Sequence, residues 1–396
     1  MLPATTIFAQ PAPATPAAAP AAPTGPATYK VVNKAQFMGT GGLDYVFADS
    51  ANRRLYVPRG TEVGIYDLDT LKAVGNISNA RAHGAVVDPE NKTGICSGDP
   101  AVMWNIETLA QIKTIPAPGA DGILFDAATH HFFILSHRAP NLLVIDSKDG
   151  SIVGTVDKLG KDDTNGAIEQ GASDGQGHLY FDVEDQGCIA VVDAKTLKVT
   201  GHYDLGPSGG GAAGLALDNK NHILFAMCRG SAGSGGPTCV ILSATDGKII
   251  TTLPLAGSSD GAVFNPATME AFSSHGNGTL SIIKENSPTS FALEPTVTTQ
   301  QGAKTCTLDA KTGHVIVITT EAAPAATPPA TTAAATPAPA AAAAPATTSA
   351  GAPASVAAAP GAGAPPAGAR AGGGRRGGGG NNGPSFLDVI VVGKAS

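Results

Sequence analysis

A chain of 396 residues with 25 basic and 32 acidic side chains carries a net charge of −7, and three of its arginines (Arg370, Arg375 and Arg376) sit in a low-complexity tract without a single acidic residue. The remaining body is more acidic still, which repels phosphate backbones and argues against nucleic-acid binding by the folded part. No run of eighteen apolar residues occurs, so no membrane-spanning helix is expected.

In chain order, residues 1–28 come first. They are rich in Ala, Pro and Thr and poor in the large apolar side chains that a core needs. The opening MLPATTIFAQPAP is read as the end of a secretory signal peptide: Leu2 to Ala9 supply its apolar tail, cleavage follows Ala9, and a disordered Pro/Ala linker comes next. Export to the periplasm or the medium is the expectation.

From residue 29 the composition changes to short apolar runs, many of them ending in an acidic residue. The run that begins each unit ends at Asp49 (YVFAD), Asp88 (GAVVD), Asp126 (GILFD), Asp174 (GASD), Asp218 (GLALD), Asn265 (GAVFN) and Asp309 (TCTLD). Successive gaps of 39, 38, 48, 44, 47 and 44 residues mark a repeat. After each landmark comes a polar turn and a second strand (LYVP, HFFILS, LYFDV, HILFAM). A third strand follows (IYDLDT, VIDSKD, VVDAKT), and then a fourth (KAVGNIS, SIVGTV, KVTGHYDL). Val, Ile, Leu, Tyr and Thr dominate these runs, and no helix-length periodicity competes.

A four-stranded unit of this size cannot bury both of its faces alone, whereas seven arranged radially can. The predicted fold is therefore all-β: a seven-bladed β-propeller of four-stranded antiparallel blades. The last blade starts with TCTLD and HVIVITTE and is interrupted by the Ala/Pro/Gly tract of residues 322–385. It resumes as SFLDVIVVGK and lacks a fourth strand. YKVVNKAQFMG at residues 29–39 is expected to supply it, so that residues 29–321 and 386–396 form one domain closed by the N-terminal strand. The insertion ends in ARAGGGRRGGGGNNG, a flexible cationic stretch suited at most to weak contact with an anionic polymer.

Cysteine spacing adds one expectation. Cys228 and Cys239 bracket the Gly-rich loop RGSAGSGGPT between two strands of a hairpin, and facing positions there fall within disulfide range. A Cys228–Cys239 bridge is predicted, in keeping with an oxidising compartment. Cys96, Cys188 and Cys306 are expected to be buried thiols.

Two sets of positions carry candidate chemistry. Five residues before each landmark, where the innermost strands begin at the mouth of the central channel, stand Asp44, His83, Asp121, Glu169, Ala213, Asp260 and Lys304. Converging carboxylates and an imidazole suit a divalent cation such as Ca²⁺ or Mn²⁺, so Asp44, His83, Asp121, Glu169 and Asp260 are candidate ligands. The loops between second and third strands reach the same mouth, and from them Arg59, His137, Arg138, Glu184, Arg229 and His275 are candidate ligand-binding residues. Gly171–Gly175 fits G-x-S-x-G, and Gly209, Gly211 and Gly214 fit G-x-G-x-x-G, but neither precedes the helix that its chemistry requires.

The phrases LYVPRG...IYDLDTLK, VIDSKDGSIVGTV and VVDAKTLKVTGHYDL resemble the YVTN-repeat, or YncE-like, β-propeller family. The resemblance departs from the family at YVPR and FILSHR, where the namesake tetrapeptide is expected, and in the interrupted last blade. It implies a secreted or periplasmic binding propeller with no shared catalytic set. Trp104 is the only tryptophan, so the repeated Trp-Asp signature of WD40 blades is missing. The expected function is non-enzymatic binding of a small ligand, metal complex or protein loop at the channel mouth. A metal-dependent, lactonase-like hydrolase is the alternative.

Overall fold

In the computed structural model, residues 29–230, 235–323 and 384–394 are described. The N-terminal segment with Leu2 to Ala9, and most of the interrupting tract with Arg370, Arg375 and Arg376, lie outside the described residues. What is described is almost entirely strand, arranged as seven antiparallel sheets whose order follows the chain. Blade one runs from Phe47–Asp49 to Ala73–Ser78, blade two from Ala82–Asp88 to Gln111–Ile115, and blade three from Ala120–Asp126 to Ile152–Val156. Blade four spans Ile168–Ser173 to Lys198–Asp204, and blade five Ala212–Asp218 to Ile249–Pro254. In blade six the outermost strand is split into Ser290–Leu293 and Val297–Thr298. Pro295 lies in the break and has no N–H to donate to a ladder.

Side-chain alternation builds the ring. Leu55 and Val57 pack against Ile316 and Val389 of blade seven, while Tyr56 between them packs against Trp104 of blade two. Phe133 and Leu135 face blade four, whereas Phe132 and Ile134 face blade two. Each blade is thus apolar on both faces, and every junction between consecutive blades, including seven to one, holds its own buried cluster. Each fully buried Leu, Val or Phe contributes about 1.5–3 kcal/mol relative to exposure.

The repeating landmark has a local cause. Its side chain caps the turn that follows: Asp49 accepts from Asn52 N, Asp88 from Glu90 N, Asp126 from Thr129 N and Asp174 from Gln176 N. Asp218 accepts from Lys220 N, Asn265 from Ala267 N and Asp309 from Lys311 N. Such Asx turns explain why only Asp or Asn occupies the position. The residue ending the third strand repeats the device, as where Asp67, Asn105 and Asp193 accept from Thr70, Thr108 and Thr196 N. Several landmarks also tie neighbouring blades. Ser147 Oγ donates to Asp88 at 2.6 Å, Ser173 Oγ to Asp126 at 2.5 Å, and Arg53 to both oxygens of Asp309 at 2.6 and 2.7 Å.

The last blade contains Thr305–Asp309, His314–Ala322, Ser385–Lys394 and, as its outermost strand, Tyr29–Gly39. The N-terminal strand pairs antiparallel with the C-terminal one from Tyr29↔Lys394 to Gly39↔Ser385, which closes the circle. Polar stitches reinforce the seam. Tyr29 Oη donates to buried Glu270 of blade six. Asp388, fully buried, accepts from Gln36 at 2.7 Å and Gln300 at 2.6 Å, with Lys34 at 3.1 Å.

The predicted disulfide is corrected. Cys228 pairs with Thr238 and Cys239 with Met227, so the two cysteines are one register step apart and point to opposite faces of the blade. Cys228 lies in the cluster shared with blade four, and Cys239 in that shared with blade six. All five cysteines are free and buried.

The Arg53–Asp309 clamp gives a pH signature. Burial disfavours the charged Asp309 carboxylate, but its bonds from Arg53, Thr312 and Ser50 outweigh that and bring it down to about 2. A depressed carboxylate contributes stability that is fully present above pH 4 and is lost as pH falls towards 2, about 2–3 kcal/mol in total. Arg53→Met should therefore lower Tm at pH 7 and flatten the acid limb of the Tm-versus-pH curve. Equal acid sensitivity in wild type and variant would rule the clamp out.

Candidate functional site

The channel mouth is built by a repeated irregularity. In blades two to six the innermost strand slips register against its neighbour at Ala82/Gly84, Ala120/Ile123, Ile168/Gly171, Ala212/Gly214 and Ser259/Gly261. His83, Asp121, Glu169, Ala213 and Asp260 occupy these slips. A bulge re-aims the extra residue, which turns these side chains inward. A glycine after most of them lets adjoining inner strands approach closely: a Cβ on Gly122 would lie 2.6 Å from the Glu169 carbonyl oxygen, and one on Gly261 3.0 Å from Cys306 N.

At two positions a large residue replaces that glycine, and both cross the channel. Tyr45 of blade one reaches blade four, its hydroxyl donating to the Glu169 carbonyl at 3.0 Å and to its carboxylate at 3.2 Å. Gln170 of blade four donates to Ala262 O at 3.0 Å and accepts from Leu215 N and Ala262 N at 3.1 Å, joining blades four, five and six. Tyr45 lines the bowl of about 1350 Å³ that opens at the mouth.

Around the bowl runs a ring of alternating charge. His83 Nδ1 lies 2.9 Å from Asp44 and 3.4 Å from Asp121. His137 Nε2 lies 3.0 Å from Asp121 and 3.5 Å from Glu169. Arg229 then meets Glu169 at 3.6 Å, pairs with Glu184 and holds Asp260 at 2.5 Å, and Lys304 pairs with Asp260 from the other side. The hydrogen bond that His83 donates to Asp44 raises the pKa of the imidazole despite partial burial, with Asp121 adding to it. Burial foremost, then Asp44, raises Asp121, while burial pushes Glu169 up to about 9 against the pull of Arg229. Two groups of donor atoms converge closely enough to hold a cation: Asp44, His83 and Asp121, and Asp121, His137 and Glu169, the atoms of each group lying within 4.8 Å of one another.

Of the candidate cation ligands, Asp44, His83, Asp121 and Glu169 fall in these groups. Asp260 does not, because Arg229 and Lys304 occupy its carboxylate. Of the candidate ligand-binding residues, His137, Arg138, Glu184 and Arg229 line the bowl. Arg59 and His275 are corrections. They are the last paired residues of Arg54–Arg59 and Glu270–His275, whereas His137, Glu184 and Arg229 each lie one residue beyond their strands. One step along a strand reverses the side chain, and both residues turn away from the mouth. Arg59 is buried in the seam, donating to Phe37 O, Ser385 O and Ser385 Oγ at 3.0, 2.7 and 2.8 Å. His275 is fully buried against Ser281 Oγ at 2.8 Å, and burial lowers its pKa to about 4.

Sequence reasoning missed Tyr45, Gln170 and Asp182. The first two break the glycine that follows most members of the inward-facing column, a signal present in the sequence. Asp182, fully buried behind Glu169, accepts from Gln170 N at 2.7 Å and thereby pins the bulge that carries Glu169.

No family model matches the chain, and no curated protein does. Solved structures match its shape. The RRP9 WD40 repeats align with a TM-score of 0.59 at 9% identity over 73% of this chain and 89% of that one. A chain of the Mitotic Checkpoint Complex gives 0.62 at 12% identity over 78% and 95%, and U3-55K gives 0.58 at 9% over 73% and 91%. At these identities the likeness is one of fold: this chain shares the seven-bladed propeller with WD40 proteins while lacking their repeated tryptophan.

Asp182 supplies a test of the bulge that carries Glu169. Burial raises its pKa to about 8. A group raised in the folded state favours folding below its unfolded pKa near 4 and costs stability as pH rises towards 8. Asp182→Asn keeps the acceptor for Gln170 N and cannot ionise. Its Tm should match wild type at pH 4 and exceed it increasingly up to pH 8; parallel pH curves would refute the assignment.

Proposed function

We propose that the protein is an exported, non-enzymatic binding propeller of YVTN-repeat, YncE-like character that holds a divalent cation at its channel mouth and captures a small oxygen-rich ligand through it. The observation that carries this reading is the convergence of two imidazoles and three carboxylates on one arc of the bowl. Mixed imidazole and carboxylate donors suit Mn²⁺ or Zn²⁺ better than Ca²⁺, which prefers an all-oxygen cage. Arg138, exposed at the lip and lying over Gly119, is placed to meet an anionic end of the ligand. Propellers commonly serve as interaction scaffolds, so a protein loop presenting a carboxylate is a further occupant of the same chemistry. Among the described residues no helix is long and apolar enough to cross a membrane.

Titration calorimetry with MnCl₂ and ZnCl₂ on the wild-type chain is expected to show saturable heat, and Asp121→Ala should abolish it while Asp260→Ala does not. Absence of heat with either ion removes the cation-based reading. Turnover of a panel of lactones by the metal-loaded protein would instead favour the lactonase-like hydrolase.

Export has its own measurement. Support for it now comes from the Leu2 to Ala9 stretch alone, since the cysteines are free thiols. Intact mass of the protein purified from its native cell should correspond to an N-terminus at or near Gln10; a mature form retaining Met1 contradicts it.

A further inference from the structure

The geometry points to a binuclear centre: two divalent cations side by side, bridged by the carboxylate of Asp121. This inference rests on the cation-binding reading above and extends it to the number and coupling of the ions.

Five donors lie on the arc, yet they do not form one set. Asp44, His83 and Asp121 converge as one group, Asp121, His137 and Glu169 as another, and only Asp121 belongs to both. The arc crosses four successive blades, with Asp44 from blade one, His83 from blade two, Asp121 and His137 from blade three and Glu169 from blade four. It is too long for a single ion to reach every donor.

Asp121 divides its two oxygens between the neighbours. Oδ1 is the atom facing His83 Nδ1 at 3.4 Å, and Oδ2 the atom facing His137 Nε2 at 3.0 Å. A carboxylate that presents one oxygen to each of two sites is the usual bridge of paired metal centres, which sit about 3.5–4 Å apart. Each cation then receives one imidazole nitrogen, one oxygen of Asp121 and one terminal carboxylate, from Asp44 or Glu169. Three protein donors leave positions on each ion for water or a ligand.

The support behind these donors is in place. Glu169 is held by its bulge, which Asp182 pins through Gln170 N, and by the Tyr45 hydroxyl. Tyr45 N donates to the His83 carbonyl at 3.0 Å, and Thr305 Oγ1 to the Asp44 carbonyl at 2.6 Å, which fixes the backbone of the first group. Two dications against three carboxylates leave the centre net positive, so it attracts an anion.

The test uses the full chain. Equilibrium dialysis against MnCl₂, with bound metal measured by atomic emission, should reach two ions per chain, and the frozen Mn²⁺-loaded protein should give the multiline electron paramagnetic resonance spectrum of a coupled pair. His83→Ala and His137→Ala should each leave one ion and an uncoupled six-line spectrum. Asp121→Asn should weaken both binding steps by about 10- to 100-fold or more. Saturation at one ion, or two ions without coupling, overturns the binuclear centre and leaves the cation-binding reading standing; no bound metal overturns both. If a variant misfolds by circular dichroism, stoichiometry and spectrum of the wild type still decide.

Discussion

The structure depends on closing a circle whose segments are apolar on both faces. A blade such as that of Tyr56 has one side chain set committed to blade seven and the alternate set committed to blade two, so no blade is complete without two neighbours. The last joint is made by the two described ends of the chain, Tyr29–Gly39 against Ser385–Lys394. That ladder alone would leave an edge free to fray. Buried polar residues prevent it: Glu270 holds Tyr29, Asp388 holds Gln36 and Gln300, and Arg59 clasps both strands through Phe37 and Ser385. Arg59 uses neutral acceptors, so its charge is spent on geometry in a seam where burial lowers its pKa.

Closure brings residues from distant parts of the sequence onto one rim, where five carboxylates would repel one another if left uncompensated. The rim solves this by interleaving cations, and the two arcs do so differently. On one arc the cations are Arg229, raised by Asp260, Glu169 and Glu184 despite burial, and Lys304, raised by Asp260 and Asp44 despite burial. On the other arc the groups set between the carboxylates are the imidazoles of His83 and His137. The proposed cations lie on this second arc, across blades one to four.

Much of this was legible in the sequence, for a physical reason in each case. The landmark Asp or Asn recurs because an Asx turn needs that side chain, so the repeat, the blade count and the closing strand could all be read from spacing. The inward-facing column was legible because the bulge repeats at the same offset from the landmark. What spacing did not reveal was orientation within one residue. Arg59 and His275 sit one position short of the loop residues with which they were grouped, and Cys228 and Cys239 are one register step from facing each other. Side chains alternate along a strand, so an uncertainty of one residue inverts a prediction about where a group points. Tyr45 and Gln170 were visible as departures from glycine, but their reach across the axis is a property of the closed ring.

Those two residues link blades that are not neighbours in the ring. Tyr45, bonded to blade four, lines the bowl at the mouth, while Gln170 ties blade four to blades five and six. The same face carries the interruption of blade seven. His314–Ala322 runs from the landmark turn towards the mouth, and Ala322 pairs there with Ser385. A second cavity of about 670 Å³, lined by Leu43, Asp44, Lys304 and Thr320 among others, lies between that raised hairpin and the rim. Asp44 and Lys304 therefore border both spaces, which places the second cavity directly beside the charged rim.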